Sequence, residues 1–364
     1  MMDYKYKIFI PYRICLLGSH IDHQLGNTIG CVINKGITLY YNPYNKIEVY
    51  SEHFDSTFKC YYFDNLTYNL QNLNWEKYLL ATIYVLKKYF KITTYIMGYI
   101  KSDLNIGGLS SSSAIILSYI KALCYVNNIK IVNNNLLLLA YEIEHNVLNI
   151  NIGKMDQINQ IFYKINYFTY YDCYNELIKY IKNTNNLSFL IIFCGKEREL
   201  IHTNYNNKVN ECKELAKLIS NNKYDKLRYI NKNNFYQKII KNENIYKKGI
   251  HFYKEMEYVE MGFNNINDLD LLGDLINLSC LNSIENYQNG SQELIDLYYI
   301  CKNIFGVYGC KFCGAGFNGN LFAIINEHYK NDIIEQITKE YLGKYPEYKN
   351  LFSMNECKMY NTGE

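Results

Sequence analysis

Residues 11–26, PYRICLLGSHIDHQLG, contain side chains suited to binding a ligand rich in hydroxyl groups and negative charge. Arg13 lies inside an apolar, strand-like run, where a desolvated charge needs a partner. Ser19, His20 and Asp22 follow directly after this run, and polar groups gathered just past the end of a strand can point at a ligand. The stretch therefore predicts a binding site for a polar, anionic ligand.

The loop at residues 105–114, NIGGLSSSSA, has the composition of a phosphate-binding loop at the start of a helix. Gly107 and Gly108 allow positive φ and a close approach of the backbone to a ligand. The serines Ser110–Ser113 place hydroxyl and backbone N–H groups at a helix N-terminus, where the dipole favours anions. One serine would be enough to cap the helix, so four serines after two glycines favour phosphate binding. Because the Lys and the spacing of a Walker A loop are absent, we expect a different triphosphate loop, with a serine hydroxyl on Mg²⁺.

Two carboxylates complete a set of groups that could transfer a phosphoryl group. On the predicted helix Leu136–Leu148, Glu144 shares the apolar stripe and Glu142 lies away from it. A carboxylate on a core-facing stripe usually pairs with a metal or a cation. Asp156 lies in a predicted turn within GKMDQ. Alone, each acid could be a cap or an ion-pair residue, but with Arg13 and the loop they supply the metal ligand, base and cation of phosphoryl transfer.

The composition excludes several classes of protein. The chain has 364 residues, of which 49% are apolar and 20% charged, and its net charge of +3 argues against a nucleic-acid partner. The N-terminus lacks the apolar core of a signal peptide, and no run approaches the length of a membrane span. Twelve cysteines show neither a disulfide framework nor zinc-site spacing. We therefore expect a cytoplasmic protein with reduced thiols, no membrane partner, and a monomer as the default.

The elements that must position these groups alternate irregularly along the chain, which predicts an α+β fold of two lobes. Period-two alternation predicts strands at Ile8–Leu17, Thr28–Tyr41 and Lys46–Ser51. Further strands are predicted at Tyr95–Lys101, Phe168–Cys173, Leu187–Cys194 and Leu321–Asn326. Helical periodicity predicts helices at Trp75–Tyr89, Ser112–Val126, Leu136–Leu148, Val209–Ile219, Lys241–Tyr258, Asp268–Ile284, Glu293–Ile304 and Asp332–Tyr341.

Four ordered motifs between Pro11 and about Ile325 resemble those of the GHMP family of small-molecule kinases, and within it the galactokinase branch. PYRICLLGSHIDH resembles the sugar signature GRxNLIGEHxDY, and NIGGLSSSSA resembles the phosphate loop GLSSSA. EIEH followed by GKMDQ resembles AEHE…GIMDQ, and CKFCGAGFNGN resembles the C-terminal glycine motif. The resemblance implies the GHMP kinase fold, with a ribosomal S5 domain 2-like lobe at 1–185, a ferredoxin-like lobe at 186–364 and the active site between them.

The resemblance further implies an ATP-dependent sugar 1-kinase and assigns roles to individual residues. Asp156 would be the base for the anomeric hydroxyl, and Arg13 would hold Asp156 ionised and stabilise charge on the transferred phosphoryl group. The implied sugar-binding residues are Ser19, His20, Asp22, Gly153 and Tyr205. The implied ATP-binding residues are Trp75, Tyr78, Gly107, Gly108, Leu109, Ser110, Ser111 and Ser112. The implied Mg²⁺ ligands are Ser111 or Ser112, with Glu144.

The sugar signature departs from galactokinases at Ser19, where they carry a Glu that approaches the 6-hydroxyl of the sugar. A Glu would repel a 6-carboxylate, and Ser removes that repulsion. The form PYRIC…GxHIDHQ…INKG also resembles plant galacturonokinases more closely than galactokinases. We therefore expect galacturonate as the substrate and galactose as the alternative, with Lys154, Arg198 and His23 as candidate partners of the carboxylate.

Two other interpretations remain open at this point. A mevalonate-type alcohol is a possible substrate within the same family, although Asp22 and the GKMDQ context argue against it. A relative that binds sugar and ATP only to signal to a partner would be a regulator and no enzyme. The retained serines, Glu144, Asp156 and Arg13 favour catalysis.

Overall fold

The computed structural model describes residues 3–60, 70, 73–196, 202–314, 316 and 319–361. The chain forms two compact units. The first comprises residues 1–12, 35–105 and 110–162, and the second comprises residues 13–34, 106–109 and 163–364. The predicted lobes follow a different division of the chain, and their boundary between residues 185 and 186 stays a prediction.

Strands and helices alternate irregularly, as the sequence predicted. The strands are β1 (Tyr6–Leu17), β2 (Asn27–Tyr44), β3 (Ile47–Ser51), β4 (Ser56–Cys60), β5 (Tyr95–Ser102), β6 (Tyr167–Asp172), β7 (Leu177–Lys182), β8 (Ser188–Phe193), β9 (Val307–Phe312), β10 (Asn320–Ile325) and β11 (Ser353–Lys358). The helices are α1 (Glu76–Tyr89), α2 (Ser111–Val126), α3 (Asn133–Glu142), α4 (Met155–Ile161), α5 (His202–Ile219), α6 (Lys232–Gln237), α7 (Glu243–Asn265), α8 (Leu269–Asn282), α9 (Gln292–Lys302) and α10 (Lys330–Lys344). Two π-helical turns, Ile143–Val147 and Ser283–Tyr287, continue α3 and α8.

In the first unit, β2, β5, β3 and β4 lie side by side in one sheet. The second half of β2 is antiparallel to β5, β5 is parallel to β3, and β3 is antiparallel to β4. Ile47 and Val49 of β3 are buried and their neighbours are half-buried, because successive side chains of a strand point to opposite faces. Helices α1, α2 and α3 pack on one another, and α2 also packs on β5. This packing fixes both ends of the loop that joins β5 to α2.

The second unit contains an antiparallel sheet with the strand order β11-β8-β10-β9. Every residue of the central strands β8 and β10 is buried, so both faces of these strands are covered. Helices α8 and α9 pack against β9. A Cβ atom at Gly273 of α8 would lie 2.1 Å from the carbonyl oxygen of Tyr308, so this close approach requires glycine.

A second part of this unit supports the end of β1. Helices α5 and α7 pack together, and their core includes Ile21, Phe252 and Tyr287. Ile21 belongs to the sugar signature, so this core anchors the predicted sugar site. In the described part of the chain, no helix combines the length and the apolar character needed to cross a membrane.

Most predicted elements are present with ends shifted by a few residues, but the sequence missed four strands and two helices. The missed elements are β4, β7, β9, β11, α4 and α6. The missed strands are short, and β9 and β11 contain a glycine or several polar residues, which weakens their period-two signal. β11 pairs with β8, which is distant in the chain, whereas β4, β7 and β9 pair with the strands next to them in the chain. Local periodicity encodes neither kind of pairing.

Candidate active site

The turn after β1 carries three of the predicted sugar-binding residues, Ser19, His20 and Asp22. It begins at Gly18, where φ is +83° and a Cβ atom would lie 2.3 Å from the carbonyl oxygen of Asn27, so a side chain does not fit. His20 also adopts a left-handed backbone, with φ of +61°. Asp22 is buried and opens a 3₁₀ turn. The backbone therefore reverses tightly at the end of β1 and places all three residues within one turn.

The imidazole of His20 is fixed by stacking and hydrogen bonding. It lies nearly parallel to the ring of Tyr287, with 4.7 Å between the ring centroids. Its Nε2 lies 3.3 Å from Asn289 Nδ2, which donates. Burial lowers the pKa of His20 well below its usual value, and nearby His251 and Lys311 act in the same direction. The ring is therefore neutral at pH 7, and its Nδ1–H can donate to a sugar hydroxyl.

Ser19 is buried, and its hydroxyl is directed at the thiol of Cys15, with 3.6 Å between Oγ and Sγ. Its side chain is short and uncharged. No carboxylate occupies this position of the signature, so the electrostatic difference predicted from the sequence is present in the folded turn.

The structure describes two of the three cations that were predicted to pair with a substrate carboxylate. Burial lowers the pKa of His23 to about 3, so His23 is neutral at pH 7 and is a poor counter-charge. The Lys154 ammonium lies 5.7 Å from the ring centroid of Tyr141. Arg198 lies outside the described residues.

Two lysines that the sequence did not single out lie beside the sugar signature. Lys226 Nζ donates to the carbonyl oxygen of His23 at 2.9 Å, and Lys208 Nζ donates to that of Tyr287 at 3.0 Å. Burial lowers the pKa of Lys208 to about 8, so it stays largely protonated at pH 7. Both lysines add positive charge to this region, because the acceptors of these two bonds are carbonyl oxygens and not carboxylates.

Tyr205 joins the same region from α5. This helix packs on the 3₁₀ turn Asp22–Gln24, and the ring of Tyr205 meets that of His23 edge to face at 6.2 Å between centroids. The structure thus brings Tyr205 to the sugar signature, although the two are almost two hundred residues apart in the chain.

Arg13 joins the phosphate loop to the C-terminal glycine motif. It is 5% exposed, and its Nη1 donates to the carbonyl oxygens of Gly108 at 2.8 Å and Cys313 at 2.9 Å. The next residue of the loop, Leu109, is buried. The buried charge predicted from the sequence therefore has backbone acceptors on both glycine-rich segments.

The two glycine-rich segments approach each other closely. Gly107 and Gly108 have φ of +150° and +82°, and a Cβ atom at Gly108 would lie 2.9 Å from the backbone nitrogen of Gly314. Asn320 Nδ2 donates to the carbonyl oxygen of Gly107 at 2.7 Å. Side chains at these glycines would separate the segments, so the close packing of the two segments requires glycine at both positions of the loop.

The serines that follow open α2. Ser110 has a left-handed backbone with φ of +59°, and its carbonyl oxygen accepts from Ala114 N at 2.9 Å. Ser111 and Ser112 are the first residues of α2 and are half-buried. The hydroxyls of Ser110 and Ser113 are buried, and neither has a hydrogen-bond partner among the described residues. Unpaired buried hydroxyls at a helix N-terminus fit a site that binds phosphate.

Glu144 is 1% exposed, which confirms its predicted place on the core-facing stripe. Glu142 instead binds Lys88 on the other side of the helix, at 3.0 Å. Glu144 lies in the π-helical turn, a feature often found at functional sites. Gln157 Nε2 of α4 donates to Glu144 Oε2, which ties the carboxylate to the segment that carries Asp156.

Gly153 and Asp156 lie where a loop leads into α4. Asp156 is the second residue of this short helix, whereas the sequence predicted a turn. Met155 and Ile158 are buried and anchor α4, and Asp156 is half-buried beside them. The helix therefore places the predicted base on a rigid element.

Trp75 and Tyr78 lie at the start of α1. The indole is buried against Phe54 and Phe58, and its Nε1 donates to Ser56 Oγ at 3.0 Å. Tyr78 is half-buried on the first turn of the helix. Their predicted role beside the nucleotide base stays a prediction.

The chemistry of the predicted ligands fits Mg²⁺. Hydroxyl and carboxylate oxygens are hard ligands, and Mg²⁺ is usually held by one or two carboxylates together with substrate phosphates. Ser111, Ser112 and Glu144 supply such oxygens, all within the first unit. Among the described residues, no group of three or more His, Cys, Asp or Glu side chains is placed to hold a metal ion.

The predicted residues divide between the two units. The first unit contains Trp75, Tyr78, Ser110, Ser111, Ser112, Glu144, Gly153 and Asp156, and the second contains Arg13, Ser19, His20, Asp22, Gly107, Gly108, Leu109 and Tyr205. The predicted partnership of Arg13 with Asp156 joins one residue from each set and stays a prediction.

Sequence reasoning missed the buried polar residues beneath the sugar signature, notably Glu255, His251 and Lys311. Glu255 lies three residues after Phe252 and four before Val259, so it shares an apolar stripe. The rule that singled out Glu144 would have found it. Lys311 offers no such signal, because it lies inside a strand that the sequence did not predict.

Comparison with known proteins identifies related sequences. Residues 77–164 match the family described as GHMP kinases N terminal domain. The galacturonokinase of Arabidopsis thaliana is 31% identical over 376 aligned residues, which cover 94% of this chain and 88% of that protein. A galactokinase of Pyrococcus furiosus is 26% identical, over 92% of this chain and 93% of its own.

Two solved structures share the fold. Lactococcus lactis galactokinase complexed with galactose has a TM-score of 0.86 at 21% identity, covering 98% of this chain and 94% of its own. Methanococcus jannaschii mevalonate kinase has a TM-score of 0.72 at 20% identity and covers 99% of both chains. These similarities confirm the α+β kinase fold that the sequence predicted.

Proposed function

Because this chain belongs to the GHMP kinase family and is a sugar phosphotransferase of its galactokinase branch, we propose that it phosphorylates the anomeric hydroxyl of galacturonate. The products are galacturonate 1-phosphate and ADP. The observation that carries the choice of sugar is the buried Ser19, which leaves this position of the signature without a carboxylate.

In the proposed reaction, Asp156 takes the proton of the anomeric hydroxyl. The resulting oxygen attacks the γ-phosphorus of ATP, and the bond from that phosphorus to the β,γ-bridging oxygen breaks to release ADP. Arg13 offsets negative charge on the transferred group. The contacts of Arg13 with Gly108 and Cys313 support this role, because they hold the guanidinium at the phosphate loop.

Ser111 or Ser112 and Glu144 would hold Mg²⁺ together with the phosphates of ATP. The chemistry that Mg²⁺ supplies when bound is neutralisation of charge on the β- and γ-phosphate oxygens. The burial of Glu144 and its bond from Gln157 support this assignment, since the carboxylate is held in one orientation.

We expect Glu144→Gln to raise the Mg²⁺ concentration needed for half-maximal activity by about tenfold or more, because an amide oxygen is a weaker ligand for Mg²⁺ than a carboxylate. A Mg²⁺ titration at fixed ATP measures this. Glu142→Gln is the matched control, since Glu142 lies two residues away and binds Lys88 at the surface. Equal Mg²⁺ dependence in both variants would remove Glu144 from the metal site.

Charge beside the sugar signature favours a uronic acid over a neutral sugar. Lys208 and Lys226 donate to carbonyl oxygens next to His20 and His23, and Ser19 adds no negative charge. Galactose is the alternative substrate, in which case Ser19 only loses one hydrogen bond to the 6-hydroxyl group.

Ser19→Glu is expected to lower kcat/KM for galacturonate relative to galactose by at least about tenfold, because placing like charges together costs several kcal/mol. Steady-state kinetics with both sugars measures the ratio. Ser19→Ala serves as the control, since it removes the hydroxyl without adding charge. An unchanged ratio in Ser19→Glu would mean that residue 19 does not contact carbon 6.

A further inference from the structure

A fully buried carboxylate lies beneath the turn that carries Ser19 and His20. Glu255 of α7 is 0% exposed. Its Oε2 accepts from the backbone nitrogens of Gly18 at 3.0 Å and Ser19 at 3.1 Å. Hydrogen bonds to an ionised acceptor are stronger than neutral ones. One side chain, more than two hundred residues away in the chain, therefore binds two successive N–H groups of the sugar signature.

A second side chain of α7 binds the peptide unit that follows Ser19. His251 Nε2 donates to the carbonyl oxygen of Ser19 at 2.9 Å. Burial lowers the pKa of His251, and its other ring nitrogen, Nδ1, lies 3.3 Å from the carbonyl oxygen of Asn282. The amide groups on both sides of Ser19 are thus held by a single helix.

The charge of Glu255 is compensated inside the protein. Lys311 of β9 is 1% exposed, and its Nζ donates to Ser279 Oγ at 3.0 Å and to the carbonyl oxygen of Leu16 at 2.8 Å. Ser279 Oγ in turn donates to Glu255 Oε2 at 2.9 Å. The Ser279 hydroxyl therefore connects the Lys311 ammonium to the Glu255 carboxylate. Buried charges of opposite sign need such hydrogen bonds to offset the loss of solvent.

The turn has a strain that this network offsets. His20 has a positive φ, a conformation that is unfavourable for a residue with a side chain. Such strain persists where the surrounding bonds over-determine the backbone, and it is concentrated at functional sites. The bonds from Glu255 and His251 directly precede the strained residue.

We propose that Glu255 is a positioning residue of the sugar site: it holds the Gly18–His20 turn in the conformation that presents His20 and Asp22 to the sugar. Glu255 itself does not touch the substrate. The inference rests on the proposed function, because it assumes that these residues bind the sugar. It explains why a charged pair is kept in a place where apolar residues would avoid its desolvation.

Glu255→Gln tests the proposal with little change in volume. Oε1 of Glu255 accepts from Asn282 Nδ2 at 3.0 Å, so an amide in either orientation faces donors with its own N–H groups. We expect KM for the sugar to rise about tenfold or more, because a small displacement of a positioning group can change rates up to about a hundredfold. KM for ATP should stay within about twofold of wild type.

Glu257→Gln is the matched control, since Glu257 lies on the same helix and pairs with Lys232 at the surface. Glu255→Gln/Lys311→Met removes both charges, so it answers the question if the single variant does not fold. The assay uses the full-length chain, galacturonate and galactose as acceptors, and a thermal melt of each variant.

Each outcome has a distinct meaning. A rise in KM for the sugar alone, in a variant with a cooperative melt, supports the proposal. Unchanged KM for both substrates overturns it, including the case of a lowered kcat, because partial unfolding lowers the active fraction without changing KM. If the wild-type protein phosphorylates neither sugar, the proposed function fails, and the assignment of Glu255 fails with it.

Discussion

Replacing Asp156 by Asn is expected to lower sugar phosphorylation by at least about a hundredfold, since loss of a general base typically costs between 10² and 10⁴ in rate. The amide is nearly isosteric, but it cannot take the proton of the anomeric hydroxyl. Asp156 lies on α4, which is anchored by buried Met155 and Ile158, so the fold should be retained. ATP affinity should stay near that of wild type. Coupled ADP release measures turnover, and calorimetry measures ATP binding.

Asp55→Asn is the control for this substitution, because Asp55 is exposed and binds the hydroxyl of Tyr50 on the same unit. It should leave turnover unchanged. A wild-type rate in Asp156→Asn would contradict the role of Asp156 as the base. A parallel loss of ATP binding would indicate a role in nucleotide binding instead.

Replacing Arg13 by Lys is expected to lower kcat by at least about a hundredfold, since an arginine that stabilises the transferring phosphoryl group is worth about 10³ or more in GTPases. Lysine keeps the charge and loses the planar fork of donors. A single nitrogen of Arg13, Nη1, donates to the carbonyl oxygens of both Gly108 and Cys313. We therefore also expect a higher KM for ATP, measured by steady-state kinetics with ATP as the varied substrate.

Arg228→Lys is the matched control, because Arg228 makes a long, partly exposed ion pair with Asp172 at 3.8 Å. Its kinetics should match those of wild type. Wild-type kcat in Arg13→Lys would show that positive charge alone is sufficient at this position and that the guanidinium geometry has no catalytic role.

The sequence predicted those parts of the site that depend on local pattern. Glu144 shares an apolar stripe with a period of 3.6 residues, and it is buried as expected. The glycines of the phosphate loop follow a strand and precede a helix, and both have positive φ. For these residues, helical periodicity and the backbone conformation that favours glycine were enough to predict their place in the fold.

Other parts depend on contacts that no local pattern encodes. The residue before His20, which has a positive φ, is bound by Glu255 and His251, and both are distant in the chain. His23 is neutral because it is buried. The sequence alone suggested it as a cation for the substrate carboxylate, and its burial argues against that role. Lys311 binds Leu16 and Ser279 because β9 packs against α8. The local sequence of a short strand does not indicate this packing.

The most direct test of the account is a comparison of sugars by the wild-type protein. Purified full-length protein with Mg²⁺ and ATP is assayed for ADP release with galacturonate, galactose and glucose, and the phosphorylated products are identified by NMR. We predict a 1-phosphate of galacturonate and a kcat/KM for galacturonate at least about tenfold above that for galactose, equivalent to about 1.4 kcal/mol. Comparable turnover of galactose with none of galacturonate would contradict it.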